Sequence, residues 1–234
     1  MLVMALDTTT RGGSCAVARD GDVIIERGGD AARPHDVRLP ADLMTLLDDA
    51  GIRLDEIDAH AVAIGPGSFT GLRIGIATMQ GLAFAHDVPL VGISAFEALA
   101  HSVPPGRRIA TWMDAWRGDV YAALYDGGVE VQPPTVQPPA VLLARMRGSA
   151  VALSGGARTV FVGDAAALYR DMILDSLGDA ARIADPPAPL LAGAIARLAS
   201  ARVQRGERPQ PHAIRPLYVR RPDAELAREP RPVG

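Results

Sequence analysis

Residues Gly65 to Phe84, GPGSFTGLRIGIATMQGLAF, decide how this chain folds. A tight glycine loop opens directly into a helix. Pro66 fixes φ, and Gly65, Gly67 and Gly71 permit backbone angles or close approaches that a Cβ would block. Thr70 is the expected N-cap, its hydroxyl accepting from a free N–H of the first turn. From Leu72 to Phe84 only Arg73, Thr78 and Gln80 are polar. A helix that is apolar nearly all round is covered on more than one side. The run is shorter than the roughly 20 residues that span a bilayer, and Arg73 interrupts it.

One face of this helix can pack on a sheet of its own domain. The other is covered either by the same chain or by another protein. Gly71, Gly75, Thr78 and Leu82 form a stripe at helical spacing, and the first three are small enough to let a second helix approach. Burying each large apolar side chain stabilises by about 1.5–3 kcal/mol. Three or four give roughly 5–10 kcal/mol, against an association cost of about 4–15 kcal/mol. An interface would therefore need a second helix beside this one.

The bulk composition narrows the options. The chain has 234 residues, 48% hydrophobic and 22% charged, enough for one large or two small cores. The start, MLVMALD, lacks the basic segment of a signal peptide, and no stretch reads as a membrane span. Cys15 is the only cysteine, so no intrachain disulfide or cysteine zinc cluster is expected, which suits the cytoplasm. A net charge of −3 argues against autonomous nucleic-acid binding. From Arg202 onward there are eight Arg against four acids, a solvated tail or a segment that touches RNA inside an assembly. The chain has no lysine. A Walker A loop and Schiff-base chemistry both require one, so both are excluded.

The element order reads as two similar halves. Leu2 to Leu6, Ser14 to Ala18 and Val23 to Glu26 form an antiparallel meander, with Asp20-Gly21 as a turn. A helix follows with Leu39, Leu43, Leu46, Leu47 and Ala50 on one face, Asp36 as N-cap, Pro40 at the edge of the first turn and Gly51 as terminator. Strands at Ala59 to Ile64 and Pro89 to Ile93 flank the central helix, and Ala95 to His101 is a short helix. Val103-Pro104-Pro105-Gly106 marks a boundary. A second meander is expected at Arg108 to Met113, Asp119 to Tyr125 and Val129 to Val131, then a Pro-rich loop from Gln132 to Pro139. Helices are expected at Ala140 to Arg147, near Ala165 to Leu174 and at Leu190 to Gln204, with a strand at Thr159 to Val162. The expected division is 1–103, 104–221 and a disordered 222–234, with the first two a duplicated α/β unit.

No complete catalytic constellation is visible. Asp7-Thr8-Thr9-Thr10 resembles a phosphate-binding hairpin in which Asp7 holds the metal, although Thr stands where Gly would be wanted. The other reading is a polar strand end. His35-Asp36 could be a base and its orienter, or the start of a helix. His35, His60, His86, His101 and His212 show no metal-ligand spacing. Ser68 lies in G-P-G-S-F, not in a nucleophile elbow. Asp114 and Asp119 flank a turn, and Arg117-Gly118-Asp119 is a hairpin tip. Trp112 and Trp116 are expected to pack beside that hairpin. The absence of nucleophile, base and electrophile together points to a protein that acts through its surface.

DTTTRGGSCAV, His35 to Pro40, GPGSFTGLRIGIATMQGLAF and VPLVGISAFEALA resemble the TsaB family, and MDAWRGDVYAALY, FVGDAAALY and IRPLYVR extend the likeness over nearly the whole chain. Trp116 departs from the family pattern, which has Arg there. The resemblance implies an α/β actin-like ATPase fold of two βββαβα domains. It implies a non-catalytic partner subunit in the bacterial synthesis of threonylcarbamoyladenosine in tRNA, binding the catalytic relative TsaD, joined by the ATPase TsaE. TsaD would transfer threonylcarbamoyl to N6 of adenosine 37 in tRNAs reading ANN codons. VGISAFEAL places Ala95 and Leu99 where TsaD carries its metal-binding histidines, and neither side chain ligates a metal. No cofactor of its own is implied; ATP and a metal ion would come through the partners, and tRNA would be met only in the complex. The implied interface is Leu39, Leu43, Leu46, Leu47, Gly71, Leu72, Gly75, Thr78, Met79 and Leu82, with homodimer formation through the same face in isolation. Two other readings are a small-molecule kinase or ATPase using Asp7, Thr8 and Thr9 for a nucleotide, and a metallopeptidase.

Overall fold

Strand β1 (Leu2–Asp7) is buried at every position, which a strand achieves only between neighbours and beneath cover on both faces. A computed structural model describes residues 1–104, 108–148 and 158–220 and shows that cover. β2 (Ser14–Arg19) and β3 (Asp22–Gly28) complete an antiparallel meander; β4 (Ala59–Gly65) and β5 (Leu90–Ser94) add parallel strands on the other side of β1. Met4 faces Val17 antiparallel and His60 parallel. The second sheet repeats this with β6 (Arg108–Asp114), β7 (Val120–Asp126), β8 (Val129–Gln137), β9 (Thr159–Val162) and β10 (Ala181–Ile183). The two orders, β3-β2-β1-β4-β5 and β8-β7-β6-β9-β10, are the same.

The helices make three layers around the sheets. α1 (His35–Ala50) and α2 (Phe69–Ala85) cover the outer face of the first sheet, where Met4, Leu6, Leu46, Val62 and Met79 form one core. α3 (Ala95–His101) and α7 (Ala192–Gln204) lie between the sheets with Phe96, Ile109, Val160 and Ile195. α4 (Pro139–Gly148), α5 (Asp164–Leu168) and α6 (Arg170–Leu177) cover the far face of the second sheet, around Trp112, Leu143 and Phe161.

The expected boundary after residue 103 does not hold for the end of the chain. α7 packs on the first sheet. Its free N-terminal amides need acceptors, and the first sheet supplies them. Ser14 Oγ accepts from Leu191 N and Ala192 N, and Glu26 Oε1 accepts from Gly193 N at 2.7 Å. Arg202 then donates to Gly92 O and to Glu97 of α3. A strap from Pro209 to Arg220 follows α2 back: Gln80 Nε2 donates to Pro211 O at 2.8 Å and Leu217 N to Ile64 O at 2.6 Å.

Several local expectations are corrected. Ser68, not Thr70, caps α2, its hydroxyl accepting from Gly71 N. α1 starts at His35 behind Pro34, so Asp36 sits inside the first turn. Pro40 lies deeper in the helix, where it removes the bond to the Asp36 carbonyl. Gly51 ends α1 in the left-handed region, as expected. β8 continues through Pro133 and Pro134; it is an edge strand, where proline is tolerated. The helix expected near Ala165 to Leu174 is two helices, α5 and α6, and the three-residue β10 adds a strand to the expected set. Pro105, Gly106 and the tail from Pro222 lie outside the described residues.

Candidate interaction site

α1 and α2 each bury one face and expose another. On α1, Leu39, Leu43, Leu46 and Leu47 face the sheet, while Val37 (61% exposed), Pro40, Ala41 and Met44 (48%) face outward. On α2, Leu72, Ile76, Met79 and Ala83 are buried, and Thr70, Arg73, Ala77, Gly81 and Phe84 are exposed. Phe84 is 84% exposed, unusual for so large an apolar side chain.

This geometry buries most of the residues read from the sequence as an interface. Leu39, Leu43, Leu46, Leu47, Gly71, Leu72, Gly75 and Met79 are buried within their own subunit. Thr78 and Leu82 are half-buried, and Thr78 Oγ1 donates to Ile74 O. The small residues serve an internal approach. A Cβ on Gly71 would overlap Thr8 O, and one on Gly75 would overlap Thr8 Oγ1. The outward stripe is the neighbouring one, whose markers were the polar residues Thr70 and Arg73.

At its N-terminal end that stripe carries a cluster. The Arg73 guanidinium lies over the Phe69 ring at 3.9 Å, and Arg73 Nε donates to Tyr218 Oη at 3.2 Å. The Phe69 and Tyr218 rings are 5.3 Å apart. Beside it, a cavity of about 470 Å³ is bounded by Gly67, Phe69, Trp116, Tyr121 and Tyr218. Trp116 and Arg117 both have φ near +57, forming the turn between β6 and β7. Asp114 Oδ1 accepts from Trp116 N, and Asp119 accepts from Arg220, so both acids hold the hairpin and the strap. Trp116 thus lines a cavity, whereas Trp112 is buried edge-on to Phe161.

The threonine hairpin is a packed structure. Asp7 Oδ1 accepts from Thr9 N at 2.9 Å and from Thr9 Oγ1 at 2.7 Å. Burial pushes the Asp7 carboxyl up to about 6, against the lowering effect of those two bonds. His35 Nε2 pairs with Thr10 O at 2.9 Å, and burial lowers its pKa. Arg38, only 3% exposed, donates to Gly12 O, pairs with Asp42 and meets His35 Nδ1 at 3.0 Å. No sequence signal beyond its i, i+4 spacing from Asp42 marked Arg38. A Cβ on Gly29 would collide with its guanidinium.

These residues do not fit a magnesium–nucleotide complex. The cleft between Asp7, Gly12, Gly13 and Asp164 encloses about 230 Å³, below the roughly 300–1,000 Å³ usual for small-molecule sites. Asp164 Oδ1 is occupied by Asp114 N and Ala165 N. Ala95 and Leu99 are buried among apolar neighbours. Among the described residues no group of three or more His, Cys, Asp or Glu could hold a metal. No helix among them is long and apolar enough to cross a membrane.

Residues 25–228 match the family described as TsaD, tRNA N6-adenosine threonylcarbamoyltransferase. The Bacillus subtilis tRNA threonylcarbamoyladenosine biosynthesis protein TsaB is 33% identical over 183 residues, covering 76% of this chain and 77% of that one. The solved structure of YeaZ from Pseudomonas aeruginosa is similar at 30% identity and a TM-score of 0.73, covering 93% of this chain and 99% of that one. The (R)-2-hydroxyglutaryl-CoA dehydratase component A of Acidaminococcus fermentans has 11% identity and a TM-score of 0.58, covering 87% and 99%; it shares the fold alone. That fold is the actin-like one the sequence resemblance implied.

Proposed function

The chain belongs to the TsaB family and has a TsaB-type role in threonylcarbamoyladenosine biosynthesis, and we propose that it fills this role as a partner subunit without an active site. It docks TsaD through the outward face of α1 and α2, and TsaE joins the assembly. TsaD performs the transfer to adenosine 37, ATP and metal enter through the partners, and tRNA is met only in the complex. The setting is the cytoplasm.

The observation that carries this reading is the exposed apolar face of two adjacent helices. Val37, Ala41 and Met44 on α1 and Ala77, Gly81 and Phe84 on α2 repeat at i, i+4, i+7. Large exposed apolar side chains gathered on one face mark an interaction surface. The packed hairpin supports it from the other side, since Arg38, His35 and Thr9 occupy the polar groups a nucleotide would need.

Reconstitution tests the reading. Threonylcarbamoyl transfer to tRNA is measured with TsaD and TsaE of the same organism, with and without this chain. The chain alone should give no turnover, and its omission should abolish or sharply reduce transfer. Turnover by the chain alone, or full activity without it, contradicts the proposal.

A further inference from the structure

We propose that Arg73 is the polar anchor of this face and takes a carboxylate presented by a helix of the partner. The proposal rests on the docking reading above and names the chemistry the partner must bring. Arg73 is the only charged residue on the outward stripe of α2. Its side chain is held in two ways, by the Phe69 ring beneath the guanidinium and by the Tyr218 hydroxyl on Nε. Tyr218 lies 145 residues further along the chain, so the strap places it there. Among the described residues, the bond from Nε to Tyr218 is the guanidinium's only hydrogen bond, so its two terminal nitrogens are left for a partner. A planar fork held in advance matches a carboxylate with two parallel bonds and loses little freedom on binding.

The surroundings select a protein carboxylate over other anions. Ala77, Gly81 and Phe84 continue the stripe without charge, which suits an apolar helix. The exposed acids Asp36 and Asp48 on α1 oppose a polyanion such as tRNA. α2 contains no acidic residue, so an α2–α2 contact between two copies would set Arg73 against no carboxylate. A second copy reaches it only with Asp36 or Asp48 of its α1, and the titration below separates that case from the partner.

Calorimetric titration with TsaD of the same organism, at low and high salt, tests this. Arg73→Ala should weaken binding about tenfold or more and remove most of its salt dependence. Arg73→Lys should fall between, keeping the charge and losing the fork. Tyr218→Phe should weaken binding severalfold with the melting temperature unchanged, because it frees the guanidinium without deleting it. Phe84→Asp is the control for docking itself. If Phe84→Asp abolishes binding while Arg73→Ala and Tyr218→Phe bind like the wild type, the anchor is overturned and the docking reading stands. If Phe84→Asp and Arg73→Ala both bind normally, the docking reading fails. Loss of self-association alone in Arg73→Ala, with TsaD affinity intact, also overturns the proposal.

Discussion

Gly75 of α2 packs so closely on Thr8 at the end of β1 that a Cβ would overlap the Thr8 hydroxyl. Gly71, one turn earlier, meets the Thr8 carbonyl in the same way. The glycines let α2 sit down on its own sheet. Gly75→Ala should therefore lower stability by about 1–3 kcal/mol, the usual cost of overpacking, and Gly75→Leu should not fold normally. Urea midpoints measure this; an unchanged midpoint for Gly75→Ala contradicts the packing role.

The same contact shows where the sequence was readable and where it misled. Both meanders, the crossover helices and the repeat of the two halves follow from alternation, turn residues and helical spacing. The direction of α2 did not follow from its small residues. A glycine notch looks alike whether a sheet or a partner fills it, and only Thr70 and Arg73 marked the wet side. Arg38 and Tyr218 carry no local signature because their partners are tertiary: Gly12 lies 26 residues from Arg38, and Arg73 lies 145 from Tyr218. The return of α7 to the first sheet depends on Ser14 and Glu26, which no local pattern links to it.

Arg38 fixes the hairpin by charge-assisted bonds to the Gly12 carbonyl and Asp42. Arg38→Met keeps much of the packing and loses those bonds. It should cost about 1.5–3 kcal/mol, the range for hydrogen bonds to charged groups. Thermal unfolding of the two proteins measures it, and equal stability would show that the guanidinium is dispensable.

The hairpin cleft of about 230 Å³ should not accept Mg–ATP. Calorimetry on the isolated chain should give no heat of binding at micromolar nucleotide. Micromolar affinity accompanied by hydrolysis would restore the kinase or ATPase reading.

Two buried groups set opposing pH dependences. The Asp7 carboxyl is pushed up from 3.8 to about 6 in the folded chain, chiefly by burial. His60, with both ring nitrogens buried and without a hydrogen-bond partner among the described residues, is pushed down from 6.5 to about 4 by the same cause. Between pH 4 and 6 the folded chain therefore keeps a proton on Asp7 that the unfolded chain releases. It lacks one on His60 that the unfolded chain binds. Acidification through this window favours folding through Asp7 and opposes it through His60, each by about 1.4 kcal/mol per unit. In Asp7→Asn only the His60 effect remains, so stability relative to the wild type should fall as pH drops from 6 to 4. In His60→Leu it should rise. Urea midpoints across the window measure both; parallel curves for all three proteins contradict the assignment.

The most direct measurement is light scattering on size-exclusion fractions of the chain mixed with TsaD. It compares the wild type with Ala77→Asp and Met44→Asp, two substitutions on the outward face that leave the buried stripe intact. Wild type should elute with TsaD as a heteromeric complex, while both variants, folded and melting like the wild type, elute apart from it. Co-elution of both variants with TsaD at wild-type stoichiometry would show that the partner does not use this face.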